Sequence, residues 1–401
     1  MLRGASIICL SSIDWAFNRQ NPQELAVALA EGGNRVLFVE NTGVRRVALR
    51  DASRLWTRVR NWWRSRGDVE SVAEGIDVHA PVLLPLPYSR VACAINVRLL
   101  LRVVRRWRRA DPADPLIVIT FLPTPLARAL IAALAPDLVV YYCIDRLAES
   151  SPGARPLRHY EPAFFAEVDL VVVTSENLRA NAARSARRVE MLPSGVRVED
   201  FQSACAPGAV VPPAMAGLEG PVIGFVGSLR GATDLALLAR VADLAPDLNF
   251  VLIGPRFVDV REFATRRNVR LIEAVPHRDV MRYMARFDVG ILPYVLDAFT
   301  AAVMPVKLKE YLAAALPVVS TPLPEVLRFA QRHPQMVSFA GDADDFVAAI
   351  RAAIAANTPD ARTRRLDVAR RYDWRNQMAT LGGWMEELMT NTGRSSDRRR
   401  L

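Results

Sequence analysis

Two doubly wound α/β domains facing a cleft are the architecture that this 401-residue sequence predicts, and three observations carry the prediction. Short, continuous apolar runs alternate with helix-period segments almost throughout, as in parallel sheets covered on both faces. The alternation stops once, in a Pro- and Gly-bearing stretch at residues 206–219, and then restarts. Hydrophobic residues make up 51% of the chain and charged residues 23%, a globular composition with enough length for two cores.

Residues 5–10 read as the first strand. This apolar run is too short to span a bilayer, and it lacks the basic flank and cleavage site of a secretory signal. No other segment approaches twenty uninterrupted apolar residues, so the expected location is cytoplasmic, soluble or peripheral to a membrane. The loop at 14–20 is long, polar and aromatic; Asp14, Trp15 and Arg19 are the acceptor-side candidates there, although packing alone also accounts for Trp15. Asn21, Pro22 and Glu24 supply an N-cap, a proline at N1 and a carboxylate at N3 for a helix ending at Gly32-Gly33. Strands follow at 35–40, 116–120, 138–142 and 170–174, completing a Rossmann-like domain over 1–205. After the linker, strands at 222–226, 250–253, 269–271, 289–292 and 318–320 build a second such domain over 220–370. A tryptophan-bearing helix at 371–390 and a polar tail at 391–401 close the chain.

The four cysteines lie far apart with no Cys-x-x-Cys pair, which argues for free thiols and against a disulfide framework or zinc site. Charge is concentrated. Residues 41–110 hold fifteen arginines against five acids, an excess equal to the +10 of the whole chain. Trp56, Trp62, Trp63 and Trp107 are interleaved with arginines that include Arg102 and Arg105, the pattern of a helix lying on an anionic membrane. A solvated basic face with buried tryptophans, or a nucleic-acid patch, would share this composition.

Only two of the 52 basic residues are lysines, and both fall in Pro305-Val306-Lys307-Leu308-Lys309-Glu310-Tyr311-Leu312. Lysine is a compact point charge suited to phosphate. At 100° per residue, Leu308, Tyr311 and Leu312 form the buried stripe, Lys307 and Glu310 share one edge, and Lys309 is expected on the polar side. Lys307 beside a helix N-terminus is placed to hold a diphosphate, and Glu310 to accept both hydroxyls of a ribose; a surface ion pair is the plainer alternative. Gly227-Ser228 after the first strand of the second domain offers backbone N–H groups to an anion, though not at Walker or dinucleotide spacing. Arg256 and Val275 stand at later strand ends. Asp342-Ala343-Asp344-Asp345 imitates a metal motif, but a following apolar-periodic run makes it a helix cap.

The lysine helix followed by Pro317-Val318-Val319-Ser320-Thr321 resembles the donor-nucleotide site of GT-B-fold glycosyltransferases of group 1. Residues 169–176, 224–228, 252–255 and 288–294 resemble that family's other segments in the same order, so the resemblance spans most of the chain. It implies a UDP-sugar donor in preference to a GDP-sugar, a lipid-linked or polysaccharide acceptor, and no cofactor or metal. Lys307, Glu310, Gly227, Ser228, Arg256, Val275, Tyr294 and Met304 are the implied donor contacts. Two departures disfavour a retaining mechanism: Ala302 stands eight residues before Glu310 where retaining members carry a glutamate, and Gly227-Ser228-Leu229 stands where they carry Arg and Lys. The segment Tyr141–Leu147 is similar to that of the xanthan glucuronosyltransferase type, which makes Asp145 the candidate catalytic base. Asp145 could equally cap its loop or pair with Arg146, and His159 and Glu161 are nearby alternatives. An epimerase of the same fold and a silent nucleotide-sugar-binding scaffold are the rival readings.

Overall fold

The computed structural model describes residues 2–16, 20–40, 42, 69–110, 115–150, 153–206, 208 and 210–397. The chain divides into two compact units, one of residues 1–193 with 375–401 and the other of residues 194–374.

The first unit is built on an eight-stranded sheet of order β3-β4-β2-β1-β5-β6-β7-β8. Its strands are β1 (Ser6–Leu10), β2 (Arg35–Val39), β3 (Glu70–Ala73), β4 (Ile76–His79), β5 (Leu116–Thr120), β6 (Leu138–Cys143), β7 (Leu170–Val173) and β8 (Val189–Met191). Apolar Val, Ile and Leu fill β1, β5 and β7, all fully buried, as expected for strands covered on both faces. The sheet is parallel except at one edge, where β3 runs antiparallel to β4 in a short hairpin turned at Gly75, whose φ is +73°. Every residue of β3 is exposed, so it carries no apolar run to betray it. The first helix, Asn21–Glu31, is capped one residue earlier than the sequence suggests, because the Gln23 side chain reaches back to accept the Gln20 N–H at 2.9 Å.

The second unit holds a six-stranded, fully parallel sheet of order β11-β10-β9-β12-β13-β14. Its strands are β9 (Val222–Val226), β10 (Asn249–Ile253), β11 (Val269–Ile272), β12 (Val289–Leu292), β13 (Val318–Ser320) and β14 (Val337–Phe339). Alternate residues of β9 enter two cores. Ile223 and Phe225 face the helices Leu235–Leu244 and Ala343–Ala355, while Val222 and Val226 face Leu308, Tyr311, Leu312 and Phe329. Asp342 caps the helix Ala343–Ala355, accepting the Asp345 N–H at 2.9 Å.

The division falls at Pro193/Ser194, ahead of the expected linker at 206–219. Helix Val198–Ala204 packs within the second unit, and Val198, Phe201 and Met215 are buried in its core. The last helix, Trp374–Asp397, runs beyond the expected end at 390. All four cysteines are free, Cys9 and Cys143 buried and Cys93 and Cys205 half-buried. Among the described residues no helix is long and apolar enough to cross a membrane.

Candidate functional site

In the second unit the strand order reverses between β9 and β12, and in such sheets ligands bind outside the carboxyl ends of the strands at that point. The loops leaving those ends are tied together by backbone hydrogen bonds. Gly227 donates to the Ile253 carbonyl at 2.9 Å, Leu229 to Pro255 at 2.9 Å, Asp234 to Pro293 at 2.8 Å and Val295 to Ala232 at 3.0 Å. Gly254 has a φ of +148°, and a Cβ there would collide with the Gly227 carbonyl; only glycine lets these two loops approach. The Thr321 hydroxyl, after β13, accepts the Tyr294 N–H at 3.2 Å and donates to the Tyr294 carbonyl at 2.9 Å.

Helix Val306–Ala313 is seated on this edge by its apolar stripe, with Leu308, Tyr311 and Leu312 fully buried. The Tyr311 hydroxyl accepts the Val226 N–H at 3.0 Å and donates toward the Gly224 carbonyl at 3.3 Å. It therefore fixes the residue before Gly227 to the residue after Glu310. The ring lies against Gly290, where an added Cβ would stand 2.5 Å from Tyr311 Cγ. Pro305 precedes the helix and no side chain caps it, which leaves the positive end of the helix dipole available to an anion.

Lys307 Nζ and Glu310 Oε2 are 2.5 Å apart, and His277 Nε2 stands 4.0 Å from the other carboxylate oxygen. Glu310 is buried, which alone would raise its pKa; Lys307 and then His277 outweigh burial and bring it down to about 2. An ionised carboxylate is thus held in a sheltered position beside a lysine, a histidine and an open helix end. Lys309 departs from expectation. It is fully buried instead of facing solvent, with its Nζ 5.0 Å from the centre of the Tyr372 ring and no hydrogen-bond partner among the described residues. The helix Pro359–Arg371 packs over what the wheel marks as the polar side, so no solvated face is left there.

The remaining donor candidates follow β9, β10, β11 and β12 of the same sheet, and the Gly227 N–H is taken by the Ile253 carbonyl. Gly227 and Ser228 are half-buried at the end of β9, and Val275, Tyr294 and Met304 pack against the core. Arg256 pairs with Glu273 at 3.1 Å. In the first unit, Asp14 and Trp15 follow β1 and Asp145 follows β6, all at carboxyl ends of parallel strands in one sheet. The Trp15 N–H donates to Glu40 at 2.6 Å and its ring meets Phe38 edge-on at 5.0 Å. Asp145 is half-buried. Nearby, the Tyr141 hydroxyl donates to Glu161 at 2.7 Å; burial raises the Glu161 pKa, with that hydrogen bond opposing.

Arg102 and Arg105 are exposed, but Trp107 is not a membrane anchor. It is 4% exposed, donates its indole N–H to Asp77 at 2.7 Å and carries the Arg35 guanidinium 4.3 Å above its ring. At helical spacing it shares the inner face with Leu100 and Val104, so the core claims it. Arg19, Trp56, Trp62 and Trp63 lie outside the described residues. Sequence reasoning missed the polar role of Tyr311 and the approach of His277 to Glu310. Gly224 and Gly290, inside β9 and β12, were the available signal for Tyr311, since a glycine within a strand marks a close approach.

Residues 220–356 match the family model described as Glycosyl transferases group 1. The chain is 27% identical over 257 residues to a Bacillus subtilis (strain 168) protein whose name assigns it to teichuronic acid biosynthesis as the glycosyltransferase TuaH. That match covers 59% of this chain and 64% of the Bacillus protein, so the chain spans less than two thirds of that relative's length. Among solved structures, sucrose-phosphate synthase from Thermosynechococcus elongatus superposes with a TM-score of 0.68 at 17% identity, over 96% of this chain and 100% of that one. Anabaena HepE in complex with UDP superposes with a TM-score of 0.65 at 12% identity, over the same shares.

Proposed function

We propose that the chain is a GT-B-fold glycosyltransferase with a group 1 second unit, and that it moves a sugar from a nucleotide-diphosphate donor onto a lipid-linked or polysaccharide acceptor in cell-surface glycan synthesis. The observation that carries this reading is the buried, ionised Glu310 paired with Lys307 at an uncapped helix N-terminus, on the switch-point edge of a parallel sheet. Glu310 accepts the two ribose hydroxyls of the nucleotide. Lys307, the first N–H groups of its helix and that of Ser228 surround the diphosphate, whose charge grows as the sugar leaves, while the Gly227 N–H stays on the Ile253 carbonyl. That arrangement neutralises the leaving group without a metal ion. UDP is preferred to GDP, in keeping with the UDP complex of the Anabaena protein.

Asp145 is the base that takes the proton of the acceptor hydroxyl while its oxygen bonds to the anomeric carbon and the nucleoside diphosphate departs. With Ala302 in place of a second carboxylate, a single displacement with inversion is the consistent course. The reaction is placed in the cytoplasm, peripheral to the inner face of the plasma membrane, where a polyprenyl-linked acceptor is presented. A radiolabelled panel of UDP- and GDP-sugars with a polyprenyl-diphosphate-linked acceptor tests the assignment. Asp145→Asn is expected to lower transfer about 10²- to 10⁴-fold with donor binding intact. Unchanged transfer by that variant removes Asp145 as the base, and donor turnover without acceptor replaces the transferase by an epimerase.

A further inference from the structure

The outward face of helix Arg90–Ala110, which carries Arg102 and Arg105, is continued by aliphatic residues that nothing above uses. With Val91 at 0°, Ile95, Arg98, Leu99, Arg102, Arg105 and Arg109 all fall within roughly 80° of one direction on the helix wheel. The burial pattern agrees, since all seven are exposed while Leu100, Val104 and Trp107 face the core. The face is divided along its length. Its first turns are apolar, with Val91 at 70% exposed and Ile95 and Leu99 at 40%, and its later turns are arginine.

The preceding segment extends the apolar end. Val82, Leu84 and Leu86 are exposed, Leu86 to 59%. They are held in place: the Asn96 side chain accepts the Leu84 N–H at 2.9 Å and donates to the Leu84 carbonyl at 3.2 Å, and Pro81, Pro85 and Pro87 stiffen the chain. Residues 78–110 contain no Asp or Glu. Six exposed aliphatic side chains in one region are uncommon on a surface that meets only water, and a rim of one charge sign specifies the opposite sign opposite it.

We infer that this face is the membrane-docking surface of the first unit, with Val82, Leu84, Leu86, Val91, Ile95 and Leu99 entering the interface of an anionic bilayer and the arginines lying on its headgroups. The inference deepens the peripheral location proposed above and rests on it. It transfers the apolar anchoring from Trp107 to aliphatic residues 8 to 25 positions earlier in the chain.

Flotation of the full chain on phosphatidylcholine vesicles and on vesicles with one third phosphatidylglycerol tests it, using wild type, Leu84→Ser/Leu86→Ser/Ile95→Ser and Arg98→Gln/Arg102→Gln/Arg105→Gln. All six substituted side chains are exposed, so melting temperatures are expected to stay close to wild type. Wild type should prefer the anionic vesicles, and each triple variant should partition at least about tenfold less. High salt should release the wild type only in part, because the aliphatic insertion is indifferent to salt. Full binding by the aliphatic variant, or equal binding to both vesicle types, overturns the assignment. So does a concentration-dependent dimer, or binding to duplex DNA or RNA, that the same variants abolish. UDP binding measured on the same three proteins is expected to be equal; its absence from the wild type would sink the donor site while leaving the vesicle result to stand on its own.

Discussion

Two lysines two positions apart meet opposite fates, and the difference is one of partners. Lys307 has Glu310; Lys309 has the face of Tyr372 and a buried ammonium with nothing to accept its protons among the described residues. Burial, and then Arg332, bring the Lys309 pKa down to about 7 from 10.5. Between those values the unfolded chain holds the proton and the folded chain does not, so stability rises with pH through that window at about 1.4 kcal/mol per unit from this group. Below pH 7 the cost of burial is borne in full. Lys309→Met keeps the length and removes the charge. Denaturant titrations from pH 7 to 10 should show the variant more stable at pH 7, with its margin over wild type shrinking as pH rises. A margin that does not vary with pH would mean that Lys309 is charged throughout. Glu310 runs the other way: its carboxylate stays ionised until pH falls toward 2, and what it contributes is lost only below the ordinary glutamate range.

At the scale of the element, the edge proposed to hold the donor depends on two positions that bear no charge. Gly254 lets the β9 and β10 loops meet, and Tyr311 binds helix Val306–Ala313 to the end of β9. Tyr311→Phe leaves the Val226 N–H buried without its acceptor, a cost of about 1–3 kcal/mol. Gly254→Ala demands both a disfavoured φ and a displaced Gly227 carbonyl. Chemical denaturation is expected to show both losses, and calorimetry a weaker nucleotide response from Gly254→Ala than from Tyr311→Phe, because the former displaces the Gly227 carbonyl itself. Wild-type nucleotide affinity in Gly254→Ala would separate that loop from the site. The same scale explains the Trp107 error: arginine at i, i+3 and i+4 shows that one helical face is wet, and it does not say on which side a neighbouring tryptophan lies. The indole N–H bond to Asp77 joins residues thirty apart, a contact that no local pattern encodes.

For the whole molecule, periodicity gave most strands of both sheets, half-exposed β11 included, and it failed at strands that are exposed or very short. β3 is exposed, and β8 and β14 are three-residue edge strands with half-exposed side chains. The boundary at 193/194 was hidden because Phe201 and Met215 are isolated large apolar residues, the latter in a Pro- and Gly-bearing stretch, and only the second core shows why they are there. Lys307 and Glu310 were legible as a pair because i, i+3 on a helix is local geometry, whereas His277, which joins Lys307 in keeping Glu310 ionised against its burial, comes from another element. The central claim is that this pair is the donor-nucleotide site. Calorimetric titration of UDP into wild type and Glu310→Gln tests it most directly. A single site in the wild type, weakened about 10- to 100-fold by a substitution that removes the charge and keeps the shape, is the expected result. Equal affinity in the two proteins, or no heat with either, would contradict it.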